Sequence, residues 1–288
     1  MKKCIKKFVA LLIGLVLATH MHGAATSDGA VDSRLLEEYN SVADAVNNDA
    51  RRCWDFSGGV SIAVCEENAP TIYGIVKKYA ERYAIPMPAI FLAHRDLKRI
   101  ADGAEVEGLT PRRSSVLIGP DLLRHCSLDD FEAVIAHELA HIKCRHKLKM
   151  YGMYAVFLPF AYILCNFFVS LIYMVMPIDP SDDQTNPLLY SVSANFLSFY
   201  FVHLVMDCIR NCQMRYSEKE ADLKALSVLE KPECLVKFFN KELARTVDER
   251  FEASIGGLWK ILDKCFRSHP EFQERIDYCG QALEDRSE

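Results

Sequence analysis

One short stretch of the sequence carries residue types that can perform metal chemistry. Residues 137–141 read His-Glu-Leu-Ala-His. Residues four positions apart lie on one face of a helix, so His137 and His141 can bind the same metal ion. Glu138 lies beside them, where its carboxylate can take a proton from a water that such an ion activates. The pentapeptide therefore predicts a hydrolytic metal site. The alternative is a chance match on a helix, so the prediction requires a third ligand.

The residues around the pentapeptide predict that it lies in a helix. Ser127 is a typical N-cap residue, and Asp130 follows three positions later as in a capping box. Apolar residues then recur at helical spacing over residues 131–142. The two histidines are therefore expected one turn apart on the same helix.

Short apolar segments upstream of this helix predict a small sheet. Residues 60–64 alternate in polarity, and residues 89–93 and 115–118 are continuous apolar segments. Helical patterns over residues 31–53 and from Pro70 onwards flank them. We expect the sheet to lie beside the metal helix, where its edge can bind an extended peptide.

Residues 215–222 offer the third ligand. They read Arg-Tyr-Ser-Glu-Lys-Glu-Ala-Asp, with Glu218 and Asp222 one helical turn apart and Glu220 on another face. This spacing suits Glu218 as a zinc ligand and Asp222 as the acceptor that fixes the tautomer of a ligand histidine. Taken alone, the segment is equally typical of a solvated helix.

Two long apolar segments separate the histidines from Glu218. Residues 151–176 carry no charge, and residues 188–206 carry His203 as their only ionisable group. Each segment is long enough to cross a bilayer, and such charge-free length favours a transmembrane hairpin over buried core helices. The formal net charge is -5, without a basic patch interleaved with aromatics, so we expect no nucleic-acid partner.

Taken together, these motifs resemble the zinc peptidases typified by the heat-shock membrane protease HtpX and the CAAX prenyl protease. The shared pattern is the His-Glu-x-x-His helix, an apolar pair, and Arg-x-x-Glu-x-x-Ala-Asp at residues 215–222. Residues 269–276 are similar to the family element His-Pro-x-x-x-x-Arg-Ile. The resemblance extends from about Thr71 to Ile276. Residues 100–104 depart from the family's Asn-containing stretch, which leaves substrate contacts there undefined.

The resemblance implies an α+β, mostly helical fold of the gluzincin type, with a small sheet and a two-helix transmembrane hairpin that interrupts the zinc metalloprotease domain. The predicted segments are residues 1–25 as signal peptide or N-terminal anchor, 26–150 as the first part of the metalloprotease domain, 151–209 as the membrane hairpin, and 210–288 as the second part.

The resemblance also implies the site and the reaction. One zinc ion per chain would be bound by His137, His141 and Glu218, and Glu138 would be the general base. His269 and Arg275 would line the site and donate to an oxyanion or to the substrate backbone. The implied activity is hydrolysis of internal peptide bonds in a protein or peptide substrate.

Three other functions remain open at this point. An intramembrane protease is disfavoured, because basic residues at 143, 145, 147 and 149 are expected to continue the metal helix into water. A membrane chaperone with suppressed hydrolysis is a second alternative, in which His269 would be an occluding fourth ligand. A soluble secreted metalloprotease is the third.

The charge pattern gives conflicting evidence on membrane orientation. Lysines at positions 2, 3, 6 and 7 precede the first apolar segment, which favours a cytoplasmic N-terminus and an extracytoplasmic catalytic domain. The basic residues that flank the hairpin on its catalytic side favour a cytoplasmic domain instead. We expect a protein of the bacterial inner membrane or an equivalent membrane, with extracytoplasmic catalysis and a cytoplasmic site as the alternative.

Overall fold

Short apolar segments fold into a sheet beside the helix that carries the two histidines. A computed structural model describes residues 32–48, 52–54, 60–93, 103–175, 187–247 and 269–287. The predicted signal peptide or anchor at residues 1–25 lies outside these ranges. The strands are β1 (Arg52–Trp54), β2 (Val60–Val64), β3 (Ala89–Ala93), β4 (Ala104–Glu107) and β5 (Ser115–Ile118). The helices are α1 (Ser33–Asn48), α2 (Pro70–Arg82), α3 (Pro120–His125), α4 (Leu128–Cys144), α5 (His146–Val175), α6 (Pro187–Val228), α7 (Glu233–Val247) and α8 (Phe272–Ser287).

The five strands form one mixed sheet in the order β1-β2-β3-β5-β4. β3 and β5 are parallel, whereas the other neighbouring pairs are antiparallel. The predicted strands at 60–64, 89–93 and 115–118 are confirmed. β4 was not predicted, because Glu105 and Glu107 flank its single buried apolar residue, Val106. Charged residues of this kind are common on an edge strand.

The helix predicted over residues 31–53 is wrong at its end. The helix stops at Asn48, and Arg52–Trp54 pair with β2 as a strand. Pairing of Arg52 with Ile62 and Trp54 with Val60 gives this segment a place in the sheet that the helical pattern did not indicate. Tertiary pairing therefore overrides the local preference here.

The core lies between the sheet, α2 and α4. Phe131, Ile135 and Leu139 of α4 are fully buried. The Tyr83 hydroxyl donates to the Ala136 carbonyl at 3.0 Å, and the Tyr79 hydroxyl donates to Glu132 at 2.5 Å. These two bonds attach the end of α2 to the helix that carries the histidines.

The start of α4 is as predicted, but its end is not. Ser127 and Asp130 form a reciprocal capping box with two bonds of 3.2 Å. α4 ends at Cys144, and Arg145 adopts a left-handed conformation with φ of 54°. The expectation that the basic residues continue the metal helix is therefore met by Lys143 but wrong for the other three. Lys147 and Lys149 lie in the first turns of α5 instead.

The two long apolar segments lie in α5 and α6, which pack along each other. α6 has 42 residues and continues without a break through Glu218, so the predicted segment boundary at 209/210 falls inside it. Within the described ranges, one helical stretch, His146–Leu171, is long and apolar enough to cross a bilayer. The two-helix transmembrane hairpin is therefore not confirmed.

The capping box predicts a measurable contribution to stability. Ser127→Ala should lower the free energy of unfolding by about 0.5–2 kcal/mol, because the N3 amide of the buried helix loses its acceptor. Denaturant unfolding of the purified protein, followed by circular dichroism, measures this. Ser227→Ala is the matched control, since its hydroxyl only donates to the Lys224 carbonyl in an exposed part of α6. Equal midpoints for the two variants would contradict the prediction.

Candidate metal centre

Two helices bring three metal-binding side chains to one point. His137 and His141 project from α4, and Glu218 projects from α6. The Nε2 atoms of the two histidines lie 3.1 Å apart. Glu218 Oε2 lies 3.4 Å from His137 Nε2, and Glu218 Oε1 lies 3.4 Å from His141 Nε2. These three residues form a group that could hold a metal ion.

The separations fit a zinc ion. Zinc is tetrahedral with bonds of about 2.0–2.1 Å to nitrogen and oxygen, so its ligand atoms lie about 3.3 Å from one another. The three observed distances of 3.1, 3.4 and 3.4 Å agree with that value. Two imidazoles and one carboxylate also form a donor set that zinc prefers in catalytic sites. The residues present therefore fit the metal.

Close packing of α4 on α6 makes this meeting possible. Ala136 and Ala140 of α4, and Ala221 and Ala225 of α6, are all buried. A methyl side chain adds little beyond the backbone, so small residues allow two helices to approach closely. The sequence signal for the site thus includes the alanines near the ligands as well as the ligands themselves.

Asp222 lies behind His137 and is fully buried. Its Oδ1 is 2.7 Å from His137 Nδ1, although the ring N–H is not well aligned on the carboxylate. Arg275 donates to both oxygens, with Nε–Oδ2 at 2.9 Å and Nη2–Oδ1 at 2.6 Å, and the Tyr278 hydroxyl also donates to Asp222. Burial raises the pKa of Asp222, but His137 and Arg275 outweigh this and lower it. The carboxylate is therefore ionised.

The same charges shape the ionisation of the histidine pair. Burial opposes protonation of His137, but Asp222 and Glu218 outweigh it and raise the pKa of His137 to about 10. Burial and the neighbouring His137 lower the pKa of His141 to about 3. The protein thus concentrates negative charge around one imidazole, as expected of a cation-binding site.

Glu138 is half-buried and lines a cleft of about 980 Å³. Loss of bulk water around it raises the pKa of its carboxyl to about 7, although His137 opposes the shift. Residues of β4 and the segment after it form one wall of the cleft, and most of the other lining residues belong to α4, α5 and α6. The predicted base and the edge of the sheet therefore lie in the same cleft.

The two remaining predicted residues, His269 and Arg275, differ from each other in their access to the cleft. His269 lines the cleft, with Nδ1 3.5 Å from Glu218 Oε2 and its side chain largely exposed. Arg275 is buried, and its Nη1 lies 3.7 Å from Glu218 Oε2. Arg275 is absent from the described residues that line the cleft. Its predicted contact with substrate stays a prediction.

Two residues near the centre were missed by the sequence reasoning. His146 Nδ1 lies 2.7 Å from His141 Nδ1, and His146 Nε2 lies 3.1 Å from Glu220 Oε2. Burial raises the pKa of Glu220, but Lys149, His146 and Cys144 outweigh it and lower the value to about 2. His146 was missed because it lies among basic residues at 143–149. Glu220 was missed because it lies on a different helix face from Glu218.

Comparison with known proteins assigns the chain to a family. The model of peptidase family M48 matches residues 67–283, which is most of the chain. The chain belongs to peptidase family M48. The M48 match includes both histidines, Glu138, Glu218 and residues 269–276. This membership supports assignment as a protease.

Individual relatives agree with the M48 assignment and with the resemblance predicted from the motifs. The chain is 26% identical over 228 residues to a protease HtpX homolog of Campylobacter concisus, covering 75% of each protein. It is 24% identical over 281 residues to protease HtpX of Klebsiella pneumoniae, covering 93% of this chain and 92% of that one. The HtpX-like resemblance is therefore confirmed.

The fold is similar to that of a solved structure. The crystal structure of S. mikatae Ste24p matches with a TM-score of 0.54 and 17% sequence identity. The match covers 72% of this chain but 49% of Ste24p, so the chain spans about half the length of that protein. At this identity the match supports a mostly helical fold with a small sheet.

The three-ligand geometry makes a prediction about metal content. Glu218→Ala should strongly lower the zinc bound per chain, because one of three protein ligands is lost. Mass spectrometry of the purified metal-loaded protein measures it. Glu274→Ala, an exposed position on α8, is the control and should bind zinc as the wild type does. Full zinc occupancy in Glu218→Ala would remove this residue from the ligand set.

Proposed function

We propose that the protein is a membrane-associated zinc endopeptidase that cleaves internal bonds of unfolded or membrane proteins. The observation that supports it most directly is the spacing of the three donors, 3.1–3.4 Å, next to a cleft that Glu138, His141 and Glu218 line. The chain's membership of peptidase family M48 agrees with this chemistry.

His137, His141 and Glu218 are the proposed ligands of one zinc ion. Bound there, zinc would polarise a peptide carbonyl and lower the pKa of water. Asp222, against Nδ1 of His137, keeps the metal-binding electron pair on Nε2. Arg275 lies between Asp222 and Glu218, so we propose that it acts mainly by holding both carboxylates in place.

Glu138 is the proposed general base and acid. Its carboxylate takes a proton from the attacking water as the water oxygen bonds to the carbonyl carbon. It then gives that proton to the leaving nitrogen as the carbon–nitrogen bond breaks. Atoms and charges balance, because the water supplies one hydroxyl to the new acid and one proton to the new amine.

The edge strand β4 is the proposed support for substrate. It is the last strand of the sheet and forms a wall of the cleft that contains Glu138. An extended peptide can pair with an exposed strand edge through main-chain hydrogen bonds. His269 lines the same cleft, where its imidazole can donate to the substrate or to a developing oxyanion.

Removal of the base should separate binding of metal from catalysis. Glu138→Gln should retain zinc but lose at least about a hundredfold in cleavage rate, because the amide cannot exchange the proton. The measurement is degradation of an unfolded model protein by the purified enzyme, with and without a chelator. Asp129→Asn is the control, since it neutralises an exposed carboxylate in the first turn of α4. Near-wild-type cleavage by Glu138→Gln would exclude the proposed base.

The surface of α5 supports association with a membrane. Its apolar side chains at Leu158, Tyr162, Ile163 and Phe167 are exposed, and the candidate span His146–Leu171 is not buried in the rest of the protein. Contiguous apolar surface of this size is typical of a membrane-facing helix. In a soluble secreted protein this apolar surface would be exposed to water.

Orientation in the membrane is proposed on one argument. Among the basic residues that flank the hairpin, Lys147 and Lys149 lie in α5. They therefore count towards a cytoplasmic catalytic side. We retain extracytoplasmic catalysis only because the first segment usually dominates orientation.

Two measurements on cells that produce the protein test its membrane association and its orientation. The full chain should stay in the membrane fraction after an alkaline carbonate wash, because an inserted apolar helix is not held by charge. Its release would support the soluble secreted protein. A reporter that is active only after export, fused after Glu288, should be active. An active cytoplasmic reporter with an inactive export reporter would reverse the orientation.

A further inference from the structure

One buried polar side chain beside the proposed zinc centre has no role in the reaction described so far. His146 is the first residue of α5 and is 6% exposed. Its ring is nearly perpendicular to that of His141, with centroids 4.8 Å apart. Both of its nitrogens are engaged, Nδ1 with His141 Nδ1 at 2.7 Å and Nε2 with Glu220 Oε2 at 3.1 Å.

The local backbone explains why this histidine faces the centre. The left-handed turn at Arg145 separates α4 from α5 and brings the next residue back towards the last turn of α4. Glu220 lies two residues after Glu218 on α6, so its side chain projects to a different side of that helix. One helix thus places Glu218 at His141 Nε2 and Glu220 at the far nitrogen of His146.

These contacts define one consistent set of tautomers. A histidine that offers Nε2 to a metal carries its proton on Nδ1, so His141 Nδ1–H can donate to His146 Nδ1. His146 then carries its own proton on Nε2 and donates it to Glu220. Lys149 also donates to Glu220 Oε2 at 3.0 Å. This bond holds the carboxylate at the end of the hydrogen-bonded series His141, His146, Glu220.

The two ligand histidines are therefore supported in different ways. His137 has a carboxylate directly at its Nδ1, 2.7 Å away on Asp222. His141 reaches a carboxylate only through the second imidazole. Partners of this kind orient a ligand ring, and their loss typically weakens metal binding about 10–100-fold.

We propose that His146 and Glu220 are positioning residues that hold His141 in its metal-binding tautomer and ring orientation. The inference rests on the proposed function, since it assumes that His141 binds zinc. It assigns a task to the residue five positions after His141 and to the second acidic residue of the Glu-Lys-Glu segment. Neither residue touches the substrate in this scheme.

A second metal site is the competing explanation of the same cluster. Cys144, His146 and Glu220 could also hold an ion by their mutual distances. Two contacts oppose this explanation. The Lys149 ammonium already lies on Glu220 Oε2, and His146 Nδ1 is directed at His141. A cation would have to displace the lysine and compete with its charge.

The test measures zinc affinity of the full-length purified protein by competition with a chromogenic chelator. His146→Phe keeps a ring of similar shape but removes both hydrogen bonds, so zinc affinity should fall about 10–100-fold. His146→Gln should recover part of that loss, because an amide can both accept and donate. His125→Phe is the matched control, since that histidine only contacts the Asp121 carbonyl on α3, outside the cleft.

A double variant tests whether Glu220 acts on His141 through His146. Glu220→Gln alone should weaken zinc binding less than His146→Phe does. In the His146→Phe background it should add nothing, because the link to His141 is already broken. The visible absorption of the cobalt-substituted protein is a second readout, and His146→Phe should alter its band pattern while His125→Phe should not.

The outcomes separate the inference from the proposed function. Absence of stoichiometric zinc in the wild type would overturn the proposed function itself. Wild-type zinc affinity and an unchanged cobalt spectrum in His146→Phe, with zinc bound normally by the wild type, would overturn only the positioning role. A second zinc per chain that is lost in His146→Phe would do so in favour of the second metal site. If His146→Phe fails to fold, Glu220→Gln and His146→Gln decide by the same measurements.

Discussion

The buried carboxylate of Asp222 is the constraint around which the rest of the site is arranged. An ionised group with no solvent contact is stable only when charges and donors of the protein replace water. Asp222 lies on α6, and its partners come from two other helices, His137 from α4 and Arg275 and Tyr278 from α8. The docking of α8 and the placement of the first histidine are thus coupled through one side chain. Loss of any partner would leave a buried charge incompletely satisfied.

The cleft follows from how α4 is held. The helix contacts the edge strand β4 and packs on α6. Hydrogen bonds from Tyr79 and Tyr83 attach it to α2 and the residue that follows α2. These contacts place α4 beside the sheet, and the cleft lies between β4 on one side and α6 on the other. The carboxylate of Glu138, the proposed base, projects from α4 and not from a loop, which favours precise positioning.

The sequence predicted the parts of the site that depend on spacing within one helix. The i, i+4 relations of His137 with His141, and of Glu218 with Asp222, put each pair on one face as observed. What could not be predicted depends on the backbone or on distant pairing. Nothing in an arginine indicates the left-handed conformation at residue 145, and without that turn His146 could not be placed beside His141. Its contact with Glu220 joins residues 74 positions apart. The strand β4 was missed for a related reason, since only its pairing with β5 makes a strand of so polar a segment.

Because α6 is one unbroken helix, a change in its number of residues would alter the site. The helix carries apolar residues at its start and Glu218 and Asp222 near its end, with no joint between them in its 42 residues. Each residue of a helix turns the chain by about 100° and advances it by about 1.5 Å. Insertion or deletion of a single residue in the intervening turns would therefore rotate both acids away from α4 while leaving the apolar half in place. The number of residues in those turns is therefore constrained, and so is part of their composition, because Asn211 and Ser217 are buried and Met214 lines the cleft.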